Sequence, residues 1–347
     1  MSEGRLVVGL PAGSLADPSR GGNVTQLLEK AGFCTHGYDT GGPSSFPLTP
    51  FIVGWDGRPQ EFGAQLDLLE IDLAIAGDDW IQERVLECHY EYEQEVRLHK
   101  VLSLERGSVR VVVINDEPER GCDAWLSNLL AAKKLITMVS EMPYLSLDWF
   151  RRKAVELGFG DTHGGWSVQK FKTRPKVDSG LVIYETWGKT EAKVKNRAAD
   201  FGVEVTQTGS AIRNYGLNVA AEIMTSEAGV WANPKLKEDA AKYDLARMFL
   251  LNLYGSVFAE NKVMVSYNVR NDHVPGVLEY LRRHTLFADE PTMTVGETYT
   301  EFNTEMRADA ADLPLAKARY ELAKLGATAI ETIPLESSIP SLDVIDF

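Results

Sequence analysis

Short β-branched runs alternate with amphipathic segments along most of this 347-residue chain, and no other feature constrains its fold as much. Residues 6–10, 71–76, 109–114, 134–139 and 181–184 read as strands. Residues 23–31, 58–69, 79–85, 147–157 and 190–198 read as helices, and 34–57, rich in Gly, Pro, Ser and Thr, as loop with short strand pieces. Strands that alternate with helices pair in parallel sheets with crossover helices, so the expected class is α/β. Apolar residues make up 44% of the chain, enough for a buried core, which excludes disorder as the main state.

The last third has its own order. Strands at 262–269, 292–298, 301–307 and 328–334 enclose helices at 274–284 and 313–325, the βαββαβ pattern of ferredoxin-like domains. The expected division is an α/β domain over 1–122, to which the chain returns near 233–240, and a second α/β domain over 123–238. A connecting helix at 239–260 then leads to a ferredoxin-like regulatory or assembly domain at 261–347.

Charge and composition narrow the function. A net charge of −14 argues against a nucleic-acid or anionic-membrane surface. No apolar run approaches the ~18 residues that a bilayer requires, and the first residues lack a basic stretch ahead of a long apolar one. A cytoplasmic protein is expected. Cys34, Cys88 and Cys122 are widely spaced and form no metal or redox motif. His36, His89, His99 and His163 have no partner at metal or triad spacing. Trp55, Trp149 and Trp187 are expected in the core.

The segment 199–217 carries the chemistry. A strand ending near Val205 runs into Thr206-Gln207-Thr208-Gly209-Ser210-Ala211-Ile212, and a helix follows. Backbone N–H groups at such a corner converge on an anion, and Gly209 permits close approach. Glu204, just upstream, suits sugar hydroxyls or Mg²⁺. A tight corner without a ligand has the same pattern.

The wording of this segment resembles the phosphoribosyl-diphosphate loop of the ATP phosphoribosyltransferase family, which reads Asp-Ile-Val-Glu-Thr-Gly-Thr-Thr-Leu-Arg-x-Asn-Gly-Leu. Leu10-Pro11-Ala12-Gly13-Ser14-Leu15 resembles the family's Leu-Pro-Lys-Gly-Arg-Leu, and Leu27–Gly32 its first helix. Arg58-Pro59-Gln60-Glu61 is similar to Arg-Pro-Gln-Asp, and residues 72–79, ending Gly77-Asp78-Asp79, to Asp-Leu-Gly-Ile-x-Gly-Arg-Asp. Ala232-Asn233-Pro234 and the tail from Leu325 to Glu336 continue the likeness, the tail to the long form. The resemblance implies a bilobed, periplasmic-binding-protein-like body with the active site between two α/β domains. It implies transfer of phosphoribosyl from phosphoribosyl diphosphate to N1 of ATP with Mg²⁺, near Glu204, as cofactor. Glu204 and Gln207 stand at catalytic positions, and Thr208 to Ile212 at the phosphate site. Pro11, Ala12, Gly13, Ser14, Arg58, Gly77, Asp78, Asp79 and Glu141 stand at cleft or nucleotide positions. A homo-oligomer, dimer or hexamer, with an amino-acid effector such as histidine at the C-terminal domain is implied as well.

The departures fall on this chemistry. Ala12 and Glu141 replace family lysines, and Ser14 and Asp78 replace arginines, which lowers the formal charge of these four positions by six. Gln207 replaces the loop's Glu, Glu204 its Asp, and Ser210-Ala211 its Thr-Thr. One close charge pair at an effective dielectric near 20 is worth about 4 kcal/mol before desolvation. The site therefore needs other cations, for which Arg58, Lys133, Lys134, Lys189, Lys193 and Arg213 are candidates. Three readings stay open: a transferase using ATP or an altered acceptor, a repurposed enzyme for a less anionic or a cationic substrate, and a non-catalytic ligand-binding or regulatory homologue.

Overall fold

The computed structural model describes residues 4–16, 23–38, 43–117, 121–287 and 290–345. The chain forms two compact units, one of residues 33–248 with the segment up to Gln26, the other of residues from 249 onward with 27–32.

In chain order the first part runs β1 (Leu6–Pro11), α1 (Val24–Lys30), β2 (Ile52–Gly57), α2 (Pro59–Asp67), β3 (Leu73–Gly77), α3 (Asp78–Tyr92) and β4 (His99–Ser103). Next come β5 (Val109–Asn115), α4 (Cys122–Ala132), β6 (Leu135–Ser140), α5 (Pro143–Glu156), β7 (Trp166–Lys170) and β8 (Gly180–Glu185). Then follow α6 (Thr190–Lys195), β9 (Phe201–Thr206), α7 (Ser210–Asn214), β10 (Asn218–Ser226) and β11 (Ala228–Ala232). The strands form two sheets, ordered β2-β1-β3-β11-β4 and β10-β5-β9-β6-β8-β7. β1, β2 and β3 are mutually parallel, as are β7, β8, β6 and β9, while β11, β4, β5 and β10 pair antiparallel.

This two-sheet body is the bilobed α/β arrangement that the resemblance implies, with a different division of the chain. The strand at 109–115, expected in the first domain, joins the second sheet between β9 and β10. The strand at 228–232, expected in the second, lies between β3 and β4 of the first. Strand pairing across the gap explains the exchange. The chain crosses between sheets once through 104–108 and once through Glu227, and these segments bond to each other. Leu104 N donates to Ala228 O at 3.0 Å and Ala228 N to Arg106 O at 3.0 Å. Two short adjacent crossings of this kind make a hinge, and a boundary after residue 122 would have cut β5 from its neighbours.

Each sheet has its own core. Phe62, Leu66, Ile71 and Ile81 pack under the first; Leu126, Met138, Phe150, Ile183 and Phe201 pack under the second. Pro59 and Pro143 open α2 and α5, where the missing N–H costs no helical hydrogen bond.

After α8 (Ala240–Phe258) come β12 (Lys262–Arg270), α9 (Val274–His284), β13 (Thr292–Val295), β14 (Tyr299–Arg307), α10 (Leu315–Lys324) and β15 (Ala327–Pro334). The antiparallel sheet is ordered β13-β14-β12-β15, the ferredoxin-like order. Val277, Tyr280 and Leu281 of α9 bury one stripe at i, i+3, i+4 spacing against β12 and β14 residues such as Tyr267 and Phe302. Among the described residues no helix is long and apolar enough to cross a membrane.

Candidate active site

The expected site residues gather at the C-terminal ends of the parallel strands, the usual edge for ligands in open α/β sheets. On the first lobe β1 ends at Pro11, which is buried and accepts the Tyr38 hydroxyl at 2.7 Å. Ala12 and Gly13 follow, exposed, with Ala12 N bonded to Gly57 O at 3.0 Å. Ser14 lies in a short 3₁₀ turn, and its side chain is outside the described residues. Arg58 caps α2 in extended conformation and is exposed.

The start of α3 is bolted to the hinge. Asp78 pairs with Lys100 at 2.8 Å and accepts Glu227 N at 3.1 Å. Asp79 is buried. It accepts Ser226 Oγ at 2.8 Å and Trp80 N at 2.9 Å, while its own N–H donates to Ser226 Oγ at 3.1 Å. Burial raises the Asp79 pKa against these bonds. Gly77 has no room for a side chain, because a Cβ there would stand 2.4 Å from Asp79 Oδ1. Gly77, Asp78 and Asp79, expected as cleft residues, fasten α3 to the two crossing strands, so their polar groups are engaged within the fold.

On the second lobe β9 delivers Glu204 and then the turn. Gly209 adopts φ +69° and its N–H donates to Thr206 Oγ1 at 2.8 Å. Thr208 Oγ1 bonds Ser210 Oγ at 3.1 Å, Ile212 is buried, and Gln207, Thr208, Ser210 and Ala211 are exposed. Two guanidinium groups flank the corner. Arg213 Nη1 donates to Thr208 O at 2.8 Å, and a Cβ at Gly209 would lie 3.2 Å from that nitrogen and 4.0 Å from Arg110 Nη2. Arg110 also sits 3.6 Å from Glu222. Of the candidate cations, Arg213 alone is seen beside the turn; Arg110 was missed, because only the antiparallel pairing of β5 with β9 sets it opposite Thr206. Lys133 pairs with Asp200 and Lys134 O accepts Gly180 N, both at the opposite edge of the sheet. Lys189 caps α6, and Lys193 Nζ bonds Gly188 O at 2.6 Å.

Glu204 is partly buried on β9. Burial, then the charge of Glu191 and more weakly that of Glu141, raise its pKa to about 7. One carboxylate oxygen of Glu204 is buried without a hydrogen-bond partner. Glu141 accepts the N–H of Gly188. Together with Gln60, Trp80, Glu87, Tyr144, Glu185 and Trp187 it lines a cavity of about 210 Å³ between the two lobes. Gln60, from the Arg58-Pro59-Gln60-Glu61 motif, reaches this cavity, whereas Arg58, Ala12 and Gly13 do not line it. Trp149 is core, as expected; Trp55 and Trp187 are 41% and 63% exposed, a correction for both. A polar turn with Gly188 at φ +77° holds Trp187 out of the core.

The lobes meet through Glu83, which sequence reasoning did not single out. Its carboxyl group accepts Tyr144 N at 2.9 Å and Leu145 N at 2.7 Å, capping α5 from α3. Burial raises its pKa to about 8 despite those bonds. Only the packing of α3 on α5 reveals this role.

Residues 58–253 match the family model HisG, ATP phosphoribosyltransferase. ATP phosphoribosyltransferase 1 of Geobacter sulfurreducens is 26% identical over 353 residues, covering 97% of this chain and 99% of the relative. The ATP phosphoribosyltransferase of Trichlorobacter lovleyi is 26% identical over 288 residues, 81% and 83% of the two chains. Among solved structures, the ATP phosphoribosyl transferase (HisG:HisZ) complex of Thermotoga maritima aligns with a TM-score of 0.49 and 17% identity, over 72% of this chain and 96% of that one. Because the family match spans more than half of the residues and includes the glycine turn and its flanking strand, the chain belongs to the ATP phosphoribosyltransferase family.

Proposed function

We propose that the protein catalyses an ATP phosphoribosyltransferase-like reaction, with phosphoribosyl diphosphate on the turn from Thr208 to Ile212 and the nitrogen acceptor in the adjoining cleft. The observation that carries this reading is the Gly209 corner with Arg213 and Arg110 beside it. Main-chain amides and two fixed cations suit a phosphate monoester. In the reaction the bond from ribose C1 to the pyrophosphate oxygen breaks and pyrophosphate leaves with the electron pair. The acceptor nitrogen forms the new bond to C1.

Glu204 accepts hydrogen bonds from the ribose hydroxyls in this reading, and Gln207 orients the donor from the exposed turn. Mg²⁺ fits the donor set. Glu204 offers a buried, unpartnered carboxylate oxygen, and Mg²⁺ characteristically uses one or two carboxylates together with substrate phosphates and water. When bound, the ion neutralises charge on the departing pyrophosphate.

The acceptor is N1 of ATP or an altered nitrogen nucleophile. Glu141 on the cavity wall favours the altered one, since it opposes a triphosphate where the family has Lys. The βαββαβ unit is proposed as the regulatory and assembly part, with an amino-acid effector and a homo-oligomer, dimer or hexamer, as the family resemblance implies. The test is incubation with phosphoribosyl diphosphate, ATP and Mg²⁺ while pyrophosphate and phosphoribosyl-ATP are followed. Product that disappears in G209A supports transfer to ATP. Donor binding without product points to the altered acceptor. Absence of both donor binding and product overturns the reading.

A further inference from the structure

We propose that the cavity between the lobes is a subsite for a small organic cation carrying N–H donors, a protonated amine or a guanidinium. This deepens the reading above, because it names the chemistry of the acceptor's recognition group. The cation is a handle for binding, distinct from the nitrogen that attacks C1, which must keep its lone pair.

Charge is the first argument. Of the charged groups on the wall, Arg84, its one cation, is paired with Glu87 at 2.5 Å, Glu185 is paired with Lys170, and Glu83 is taken up in capping α5. Glu141 has the Gly188 N–H but no cation among the described residues. The wall itself points the same way. Trp80, Trp187 and Tyr144 offer aromatic surface beside Glu141, and Trp187 is exposed there although it is large and apolar. Aromatic faces next to a carboxylate attract organic cations. Size agrees: about 210 Å³ is below the roughly 300–1,000 Å³ of sites for drug-sized ligands, so the space suits a small cation better than a nucleoside triphosphate.

The probes are agmatine, which carries both an ammonium and a guanidinium group, and choline, which has no N–H donor on its cation. Calorimetric titration of the full chain is expected to show saturable agmatine binding. It should weaken about tenfold or more in E141Q, through loss of a charge-assisted bond, and severalfold in W187A. Choline is expected to bind more weakly than agmatine. The exposed position of Trp187 keeps W187A folded, so its result stands even if E141Q is unstable. Phosphoribosyl diphosphate is titrated in parallel. Donor binding with no saturable binding of agmatine overturns the cation subsite and leaves the phosphoribosyl reading intact. Agmatine binding dependent on Glu141 and Trp187, without donor binding, sustains the subsite and overturns the phosphoribosyl reading. Agmatine binding that both variants leave unchanged overturns the assignment to this cavity.

Discussion

Asp78 and Lys100 form an ion pair at 2.8 Å between the first turn of α3 and β4, at the hinge joining the two sheets. The family resemblance implies an Arg at this position; the charge of the Asp found here is neutralised within the fold rather than presented to the cleft. Of the two carboxylates at such positions, Asp78 is therefore balanced by Lys100, while Glu141 lines the cavity between the lobes with no cation partner among the described residues.

Restoring the family residue at this point should fail. In D78R the guanidinium would oppose Lys100, and Glu227 N would lose its acceptor. The expected cost is about 1–3 kcal/mol of stability, since one partner of a partly buried pair is left unmatched. Thermal denaturation checks it, and the double variant D78R/K100E should recover part of the loss because the pair is coupled.

Glu83 makes stability depend on pH. Its folded pKa, about 8, stands above the ordinary 4.5, so between these values the folded protein holds a proton that the unfolded chain has released. Its contribution is complete below pH 4.5 and is lost as pH rises through about 8, with a slope of up to about 1.4 kcal/mol per pH unit. E83Q, which keeps an acceptor oxygen, should flatten this part of the curve. E83A should cost about 1–3 kcal/mol for each of the Tyr144 and Leu145 N–H groups left buried without a partner. Chemical denaturation from pH 5 to 9 measures both.

The turn depends on its glycine. At φ +69° an Ala is strained by about 1 kcal/mol, and its Cβ would press on Arg213 from 3.2 Å. G209A is expected to fold and to bind phosphoribosyl diphosphate about tenfold more weakly or worse, read by calorimetry. R213A should weaken binding too, by removing a fixed cation and the hydrogen bond that holds Thr208 O.

How far these features can be read from sequence depends on how local their causes are. The C-terminal βαββαβ unit was legible, since its strands and helices follow one another at short spacing, β13 and β14 form a hairpin, and α9 has a clean apolar stripe. The Gly209 corner was legible for the same reason. The exchange of β5 and β11 between sheets was not, because pairing between residues as far apart as Ile114 and Gly202, or Ile75 and Val230, leaves no periodic signature in either segment. Arg110, Lys100 and Glu83 owe their roles to those long-range neighbours. Trp187 misled because residue type alone suggests burial, while the turn around Gly188 projects it outward.

The most direct test of the account is a crystal of the protein soaked with phosphoribosyl diphosphate and Mg²⁺. The donor's 5-phosphate is expected within about 2.7–3.2 Å of main-chain nitrogens between Ser210 and Ile212, with Arg213 or Arg110 at its edge. A bound donor whose phosphate lies elsewhere in the cleft, or a turn that stays empty at saturating concentration, would contradict it.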